Sequence, residues 1–308
     1  MKLSVCIITR NQQEWIAQAI SSVLSQRTDF DFEVVIGDDA SDDETPVRLR
    51  EIAQLAPKRL RVISHEARLG LVGNFVRTVD ECTGEYIAML DGDDYWTDPD
   101  KLSLQIQYLD AHPSCALCFH QAAAVDSAGN ALGWSFVDET VPNPLGVASL
   151  IQDNWIPSSS AVWRRRSLPS FPEWFGQSMF EDWPLFLLLA MRGDVHFFPQ
   201  SMSAYRQHSA GLWSSLSSVE QSRRMSSFLM FIGKHVDDLP TPQLRTRAAY
   251  WKCREAEAHA RASHRLRAGK ALLQAVWMTR FRLSDPESVR EVWKAFAGKS
   301  SNQGRSHA

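Results

Sequence analysis

Residues 85–94 read Glu85-Tyr86-Ile87-Ala88-Met89-Leu90-Asp91-Gly92-Asp93-Asp94. Glu85–Leu90 has the pattern of a buried strand, with an uninterrupted apolar run over Ile87–Leu90. Three carboxylates then crowd into four positions where the strand stops. In an open parallel sheet, ligands bind beyond the carboxyl ends of the strands. Clustered carboxylates repel one another unless a cation sits among them, and a hard divalent ion such as Mg²⁺ or Mn²⁺, shared with substrate phosphates, meets that need. A solvated turn with helix-capping aspartates is the plainer alternative. Asp93 is read as a metal ligand because the cluster terminates a buried strand. Gly92 falls at the second loop position rather than the sixth, so an EF-hand is a poor match.

The same alternation runs upstream and downstream. Leu3–Ile8 predicts the first strand, with Asn11 and Glu14 as a capping box and Trp15, Ile16, Ala19, Ile20, Val23 and Leu24 as one helix face. Phe32–Gly37 and Arg61–Ser64 are further strands, separated by a helical stretch near 44–56. A helix over Gly70–Cys82 and another over Pro99–Ala111 flank the quoted strand. Strands alternating with helices predict an α/β fold, a Rossmann-type, mostly parallel sheet with right-handed crossovers. Between 115 and 210 the pattern is mixed. Cys115–Val125 and Leu132–Phe136 flank a turn at Ser127-Ala128-Gly129-Asn130, Ala161–Arg165 and Val195–Phe198 are strand-like, and Trp183–Met191 is a buried helix. This portion is expected to extend the sheet and form the acceptor side of a cleft. Beyond about 215 the chain turns helical, giving an α/β domain over 1–214 and a basic helical region over 215–308. Ser284-Asp285-Pro286 predicts a late helix start with a stripe of Val289, Val292, Trp293 and Phe296, followed by a polar tail from Gly298 to Ala308.

At 308 residues, with 44% hydrophobic and 22% charged, the chain suits about two soluble globular domains and excludes disordered, collagenous and disulfide-scaffold classes. Its longest apolar run, Leu185–Met191, falls short of the roughly 20 residues of a membrane span. No secretory signal precedes Leu3, and five scattered cysteines suit a reducing compartment, so a cytoplasmic location is expected. The net charge of −3 conceals a division. Residues 1–240 hold 19 Lys and Arg against 31 Asp and Glu, whereas residues 241–308 hold 14 against 5. An acidic body of −12 therefore carries a basic tail of +9.

Three polar clusters sit at strand ends: Thr9-Arg10-Asn11, Asp38-Asp39 and Asp91-Gly92-Asp93-Asp94. The predicted topology brings all three to one rim. Asp39 is placed to accept hydrogen bonds from a base or ribose, while Ser41 or Asp42 caps the following helix. Glu181-Asp182 is either a favourable acidic helix start or a carboxylate at a dry cleft wall able to take a hydroxyl proton. His208 alone is a weak ligand candidate. Cys115-x-x-Cys118 lies in a strand-like run that puts its two side chains on opposite faces, so plain thiols are expected rather than zinc or redox chemistry.

Taken in order, these motifs resemble the family 2 glycosyltransferases of the GT-A fold over roughly residues 3–210. Ser4-Val5…Thr9-Arg10-Asn11 is similar to the first-strand nucleotide motif. Asp38-Asp39-x-Ser41-x-Asp43-x-Thr45 is similar to the base-recognition segment, with Asp39 at the base contact. Arg68-x-Gly70…Asn74 resembles the third-helix entry, where the arginine lies near the nucleotide. Asp91-Gly92-Asp93-Asp94 resembles the DxD region, which implies Asp91 at the ribose or metal and Asp93 at the metal. Glu181-Asp182 resembles the ED motif, implying Asp182 as base, and Tyr205-Arg206-x-His208 resembles the late histidine motif that completes the metal or diphosphate site. Many members carry Tyr at the position of Arg10, so base stacking here falls to a guanidinium or is replaced by a phosphate contact.

The resemblance implies an inverting, metal-dependent transfer from a nucleotide-diphosphate sugar to an acceptor hydroxyl, with Mn²⁺ or Mg²⁺ as cofactor. Glycan or lipid-linked acceptors of polysaccharide, glycolipid or glycoprotein assembly are the implied partners, and nucleic acid is not. A nucleotidyltransferase is the nearest enzyme alternative, and a silent sugar-nucleotide-binding subunit is the alternative of another class. The helices after 215 either pack on the α/β domain or a second protomer, or dock on anionic lipid at the inner membrane face, a reading motivated by the +9 charge and Trp277 and Trp293.

Overall fold

The computed structural model describes residues 1–137, 141–262 and 264–279. The chain opens with β1 (Leu3–Thr9), α1 (Ile16–Leu24), β2 (Phe32–Asp38), α2 (Thr45–Leu55), β3 (Leu60–Ser64), α3 (Leu71–Asp80) and β4 (Tyr86–Asp91). Next come β5 (Tyr95–Trp96), α4 (Lys101–Ala111), β6 (Cys115–Val125), β7 (Ala131–Ser135) and α5 (Val147–Gln152). β8 (Val162–Arg164), α6 (Asp182–Ala190) and β9 (Asp194–Arg206) complete the α/β part, and α7 (Ser218–His235), α8 (Thr241–Arg261) and α9 (Arg265–Met278) follow. Among the described residues the strands form one sheet in the order β3-β2-β1-β4-β8-β6-β9-β5, with β7 on β6. β1 to β4 are parallel, β8 is antiparallel to both its neighbours, and β6 runs parallel to β9.

Both faces of this sheet are covered, which is why its central strands are continuous apolar runs. Leu3, Val5 and Ile7 of β1, with Val34 and Ile36 of β2 and Ala88 and Leu90 of β4, pack under Ile16, Ile20 and Val23 of α1 and Leu102, Ile106 and Leu109 of α4. Each of these large side chains is worth roughly 1.5–3 kcal/mol when buried. On the other face α3 crosses β1 and β2. It approaches closely because Gly37 lacks a side chain: a Cβ there would stand 1.9 Å from Thr78 Oγ1. Asn74 Nδ2 donates to the Gly37 carbonyl at 2.9 Å and fixes that contact.

Several local expectations are corrected. Asn11 and Glu14 do not form a capping box: α1 starts without a side-chain cap, and the Trp15 and Ile16 amides donate to Gln12 O, both at 3.0 Å. Asn11 instead turns the chain out of β1 at φ 54°, a left-handed conformation that asparagine tolerates. The last strand is much longer than Val195–Phe198. β9 continues past Pro199 to Arg206 because that proline, which has no N–H to give, lies where the pairing with β6 shifts register between Phe198 and Ser201. Cys115 and Cys118 are both buried in the same apolar cluster rather than on opposite faces. A register shift between Cys115 and Leu117 rotates the strand between them. The helix start at Ser284, its stripe through Trp293 and Phe296, and the tail from Gly298 lie outside the described residues.

The described residues fall into two compact units that divide between His208 and Ser209. In the second, Ser217 Oγ accepts from the Glu220 amide at 3.3 Å to cap α7. α8 and α9 meet through small residues, Ala249, Cys253 and Ala275 in one cluster and Ala256 and Ala271 in another.

Candidate active site

Strand register builds the site. Thr9 pairs with Asp38 across β1 and β2, and Ile8 pairs with Asp91 across β1 and β4, so three strand ends finish level. The loops that follow are tied to β1 by two backbone bonds of 3.0 Å, from the Asp39 amide to Thr9 O and from the Gly92 amide to Ile8 O. Gly92 has no room for a side chain: a Cβ would stand 2.4 Å from Gln12 Oε1 and 2.8 Å from Thr9 Oγ1. Those two atoms are themselves hydrogen-bonded at 2.7 Å, with Thr9 donating.

Asp39 is buried and held by the entry to α3. Its Oδ1 accepts from the Leu69 amide at 2.6 Å and its Oδ2 from the Gly70 amide at 3.0 Å, with Arg68 Nε 3.8 Å away. Gly70 takes φ 79°, which lets consecutive amides converge on one carboxylate. Each Asp39 oxygen keeps acceptor capacity for a further donor. Arg10 follows Thr9, whose carbonyl accepts from the Asp39 amide, and is half-buried, its buried Nε having no partner among the described residues. The Asn11 amide is engaged in both directions: Nδ2 donates to Asp42 Oδ1 at 2.6 Å and Oδ1 accepts from the Asp42 amide at 3.0 Å. Asn11 therefore shapes the loop rather than presenting a free amide.

The acidic cluster divides by environment. Burial, with the charges of Asp93 and Asp182 nearby, pushes Asp91 up to about 7, while Ser158 Oγ donates to its Oδ2 at 2.5 Å. Asp94 is buried and accepts from the Arg206 amide at 2.8 Å; desolvation, then Asp93 and Asp91, hold it well above the usual carboxylate range. Asp93 stays more open, and its Oδ2 lies 2.9 Å from His208 Nε2. The His208 ring packs on Trp15 with centroids 4.2 Å apart.

Arg206 ties this region together. Its Nε donates to Asp93 O at 2.8 Å, one Nη reaches Ser127 O at 2.9 Å and the other reaches Gln18 Oε1 at 2.8 Å. A single buried guanidinium thus joins the acidic loop, the β6–β7 turn and α1.

At the first turn of α6, Glu181 is buried and driven well above the carboxylate range by desolvation, then by Asp182 and Asp91. Asp182 is raised by burial too, but hydrogen bonds to its charged form oppose the shift. Its Oδ1 accepts from the Trp183 amide at 2.6 Å and its Oδ2 from Asn154 Nδ2 at 2.8 Å. The Asn154 Oδ1 is buried and has no partner among the described residues. Of the two carboxyls, Asp182 is the one chemically suited to be an anion that takes a proton.

Among the described residues no group of three or more His, Cys, Asp or Glu side chains forms a closed metal site. Asp93 and His208 supply one oxygen and one nitrogen donor at the rim. That set fits a hard divalent ion whose remaining ligands come from a diphosphate and water.

Four side chains central to this geometry drew no role from sequence: Ser158, Asn154, Trp15 and Arg206. Arg206 falls inside the quoted Tyr205-Arg206-x-His208 run, and that position was the available signal. Ser158 and Asn154 are more than 25 residues from the carboxylates they bond, and nothing local marks them.

Comparison with known proteins bears on this site. The sequence model described as Glycosyl transferase family 2 matches residues 4–170. Uncharacterized protein Rv1520 of Mycobacterium tuberculosis is 38% identical over 219 residues, covering 69% of this chain and 61% of that protein. The chain thus spans about three-fifths of that mycobacterial relative. Staphylococcus aureus TarS 1-349, solved with UDP-GlcNAc, superposes with a TM-score of 0.64 at 19% identity, covering 98% of this chain and 93% of that one. The mannosyltransferase PcManGT of Pyrobaculum calidifontis, solved with GDP-Man and Mn²⁺, gives 0.59 at 17% identity, covering 97% and 86%. Both share the mixed α/β architecture of GT-A glycosyltransferases. With more than half of its length matched by the family model, the chain belongs to glycosyl transferase family 2.

Proposed function

We propose that the level strand ends bind a nucleotide-diphosphate sugar and that the site transfers its sugar to an acceptor hydroxyl with inversion. The observation that carries this reading is the register that ends β1, β2 and β4 level, supported by Arg68 beside Asp39, His208 beside Asp93, and Asp182 near enough to act on the charge of Asp91. Asp39 and Arg68 would receive the nucleoside, Thr9 and Arg10 would line its entry, and Asn11 would hold the loop in shape. Asp93 and His208, with Asp91 beside them, would hold a divalent cation. When bound, that cation supplies charge stabilisation to the departing diphosphate. Asp182 takes the acceptor hydroxyl proton as the acceptor oxygen bonds to the anomeric carbon, and the electron pair of the breaking C–O bond leaves on the diphosphate. Glu181, pushed toward its neutral form by burial, is the poorer proton acceptor of the two. No protein nucleophile is required, so one displacement inverts the anomeric centre.

The nucleotide sugars bound by TarS and PcManGT support the donor class. The acceptor is proposed as a glycan or lipid-linked hydroxyl. The direct test is a thermal-shift panel of nucleoside diphosphates with Mn²⁺, followed by transfer or hydrolysis assays with the matching sugar nucleotides. Stabilisation by one diphosphate, lost in EDTA, is expected. If no nucleoside diphosphate stabilises the protein, the donor assignment fails; full turnover in chelator removes the metal from the reaction.

A further inference from the structure

α9 is built the wrong way round for a helix whose apolar side packs on its own protein. The residues it buries are small, Ala268, Ala271 and Ala275. Leu272 and Met278 add partial cover on that side, but three large apolar residues point outward: Leu266 is 92% exposed, Leu273 72% and Trp277 74%. Positions 266, 273 and 277, with Lys270 between them, recur at helical spacing and lie along one stripe. An ordinary surface helix presents its polar residues there.

The charges around the stripe are one-sided. Residues 241–279 hold eight Lys and Arg but only two carboxylates, Glu255 and Glu257. Both carboxylates are buried and already paired, Glu255 with Arg223 and Lys252, and Glu257 with Arg254 and Arg261. Arg265, Arg267 and Lys270 remain exposed, and among the described residues no carboxylate pairs with them. The outward face of α9 is therefore apolar along its centre and cationic at its margins.

The size of the stripe distinguishes its possible occupants. Three side chains on one helix offer roughly 500 Å² at most, below the roughly 800 Å² that each partner buries in a stable protein interface. Insertion into a lipid interface has no such threshold, since each apolar side chain and each nearby cation adds its own contribution. Tryptophan at the end of the stripe suits the headgroup boundary.

We propose that α9 is an interfacial helix that lays Leu266, Leu273 and Trp277 into an anionic lipid surface, with Arg265, Arg267 and Lys270 among the headgroups. Vesicle binding by α9 is read without recourse to transfer activity. Full-length protein is sedimented with vesicles of phosphatidylcholine alone and of phosphatidylcholine containing about one-third phosphatidylglycerol, at low and high salt. Binding to the anionic vesicles only, weakened by salt, is expected. Leu273→Ser with Trp277→Ser should weaken binding at least tenfold with an unchanged melting temperature. Arg267→Glu with Lys270→Glu should do the same, given roughly a fivefold effect for each cation near such a surface. Absence of vesicle binding by the parent overturns the proposal, as does undiminished binding by the apolar double variant. A fall in melting temperature in that variant, or self-association of the parent that the variant abolishes, also overturns it, because the stripe is then covered by protein.

Discussion

Replacing Asp182 by Asn tests the proposed base with unusually little structural disturbance. The substitution keeps the shape of the side chain and removes only its charge and its ability to accept a proton. Asp182 Oδ1 accepts from the Trp183 amide, and an asparagine Oδ1 does the same. The other oxygen accepts from Asn154 Nδ2, a contact that an amide nitrogen would turn into a clash of donors. Asn154 has a remedy to hand, because its own Oδ1 is buried without a partner among the described residues. Rotating the Asn154 amide by half a turn brings that acceptor to the new donor and leaves its Nδ2 where Oδ1 had no partner, so the number of unpaired buried atoms does not rise. The charge change helps its neighbours as well: Asp182 raises the proton affinity of Glu181 and Asp91, so its neutralisation eases both back toward the ordinary carboxylate range.

Folding stability of Asp182→Asn should therefore stay within about 1 kcal/mol of the parent. Turnover should not. Loss of a positioned general base costs about 10²–10⁴-fold, or about 3–5 kcal/mol of barrier. Sugar-nucleotide turnover is followed by release of the nucleoside diphosphate, and donor affinity by calorimetry. The expected result is a collapse in kcat with donor affinity changed less than about threefold. Burial also places the acid limb of the parent's pH–rate profile above the ordinary aspartate value of about 4, since the base form is lost as pH falls through its raised pKa. A variant that turns over within about tenfold of the parent, while folding normally, removes Asp182 from the role.

Arg206→Met should destabilise the protein by about 3–5 kcal/mol, since it strips partners from Asp93 O, Ser127 O and Gln18 at once; urea unfolding measures this. Gly92→Ala should cost about 1–3 kcal/mol and weaken donor binding, because its Cβ drives apart Gln12 and Thr9 at the rim. Lys101 is fully buried beneath Trp96, and burial lowers its amine to about 7, against roughly 10.4 in the unfolded chain. Between those values the unfolded state binds the extra proton, so the lysine's destabilising effect is full below pH 7 and fades as pH rises toward 10. Lys101→Met should thus gain about 1–3 kcal/mol at pH 7, net of the lost bond to Gln105, and progressively less by pH 10; a gain independent of pH refutes the assignment.

How legible this molecule is depends on whether a feature is carried by local pattern. The central strands were readable because a strand covered on both faces must be apolar at consecutive positions, as in Val34–Ile36 and Ile87–Leu90. From those strands the parallel topology follows, and from the topology the gathering of Thr9, Asp38 and Asp91 at one edge. What escaped was set by contacts between distant positions. The continuation of β9 to Arg206 depends on a register shift with β6 that begins near Pro199. The common burial of Cys115 and Cys118 depends on a bulge that strict alternation does not anticipate. The true work of Asn11 depends on Asp42, 31 residues away, which outcompetes the nearby Glu14 for its amide.

Charge shows why position matters more than count. In the acidic body, Asp91, Asp94 and Glu181 are desolvated and close to other carboxylates, and each is pushed toward its neutral form. Their formal charges overstate the negative field of the site. A cation at Asp93 and His208 would reverse that bias, since it favours ionisation of the carboxylates around it. Donor and cation should therefore bind with release of protons to the medium, a linkage that calorimetry in buffers of different ionisation enthalpy measures directly. In the helical unit, burial has the opposite consequence. Glu255 and Glu257 are buried and ion-paired with Arg223, Lys252, Arg254 and Arg261, so they do nothing to shield Arg265, Arg267 and Lys270. Hiding two glutamates makes the outer face of α9 more cationic than its composition implies, and it is that face, rather than the total of +9, that a lipid surface would meet.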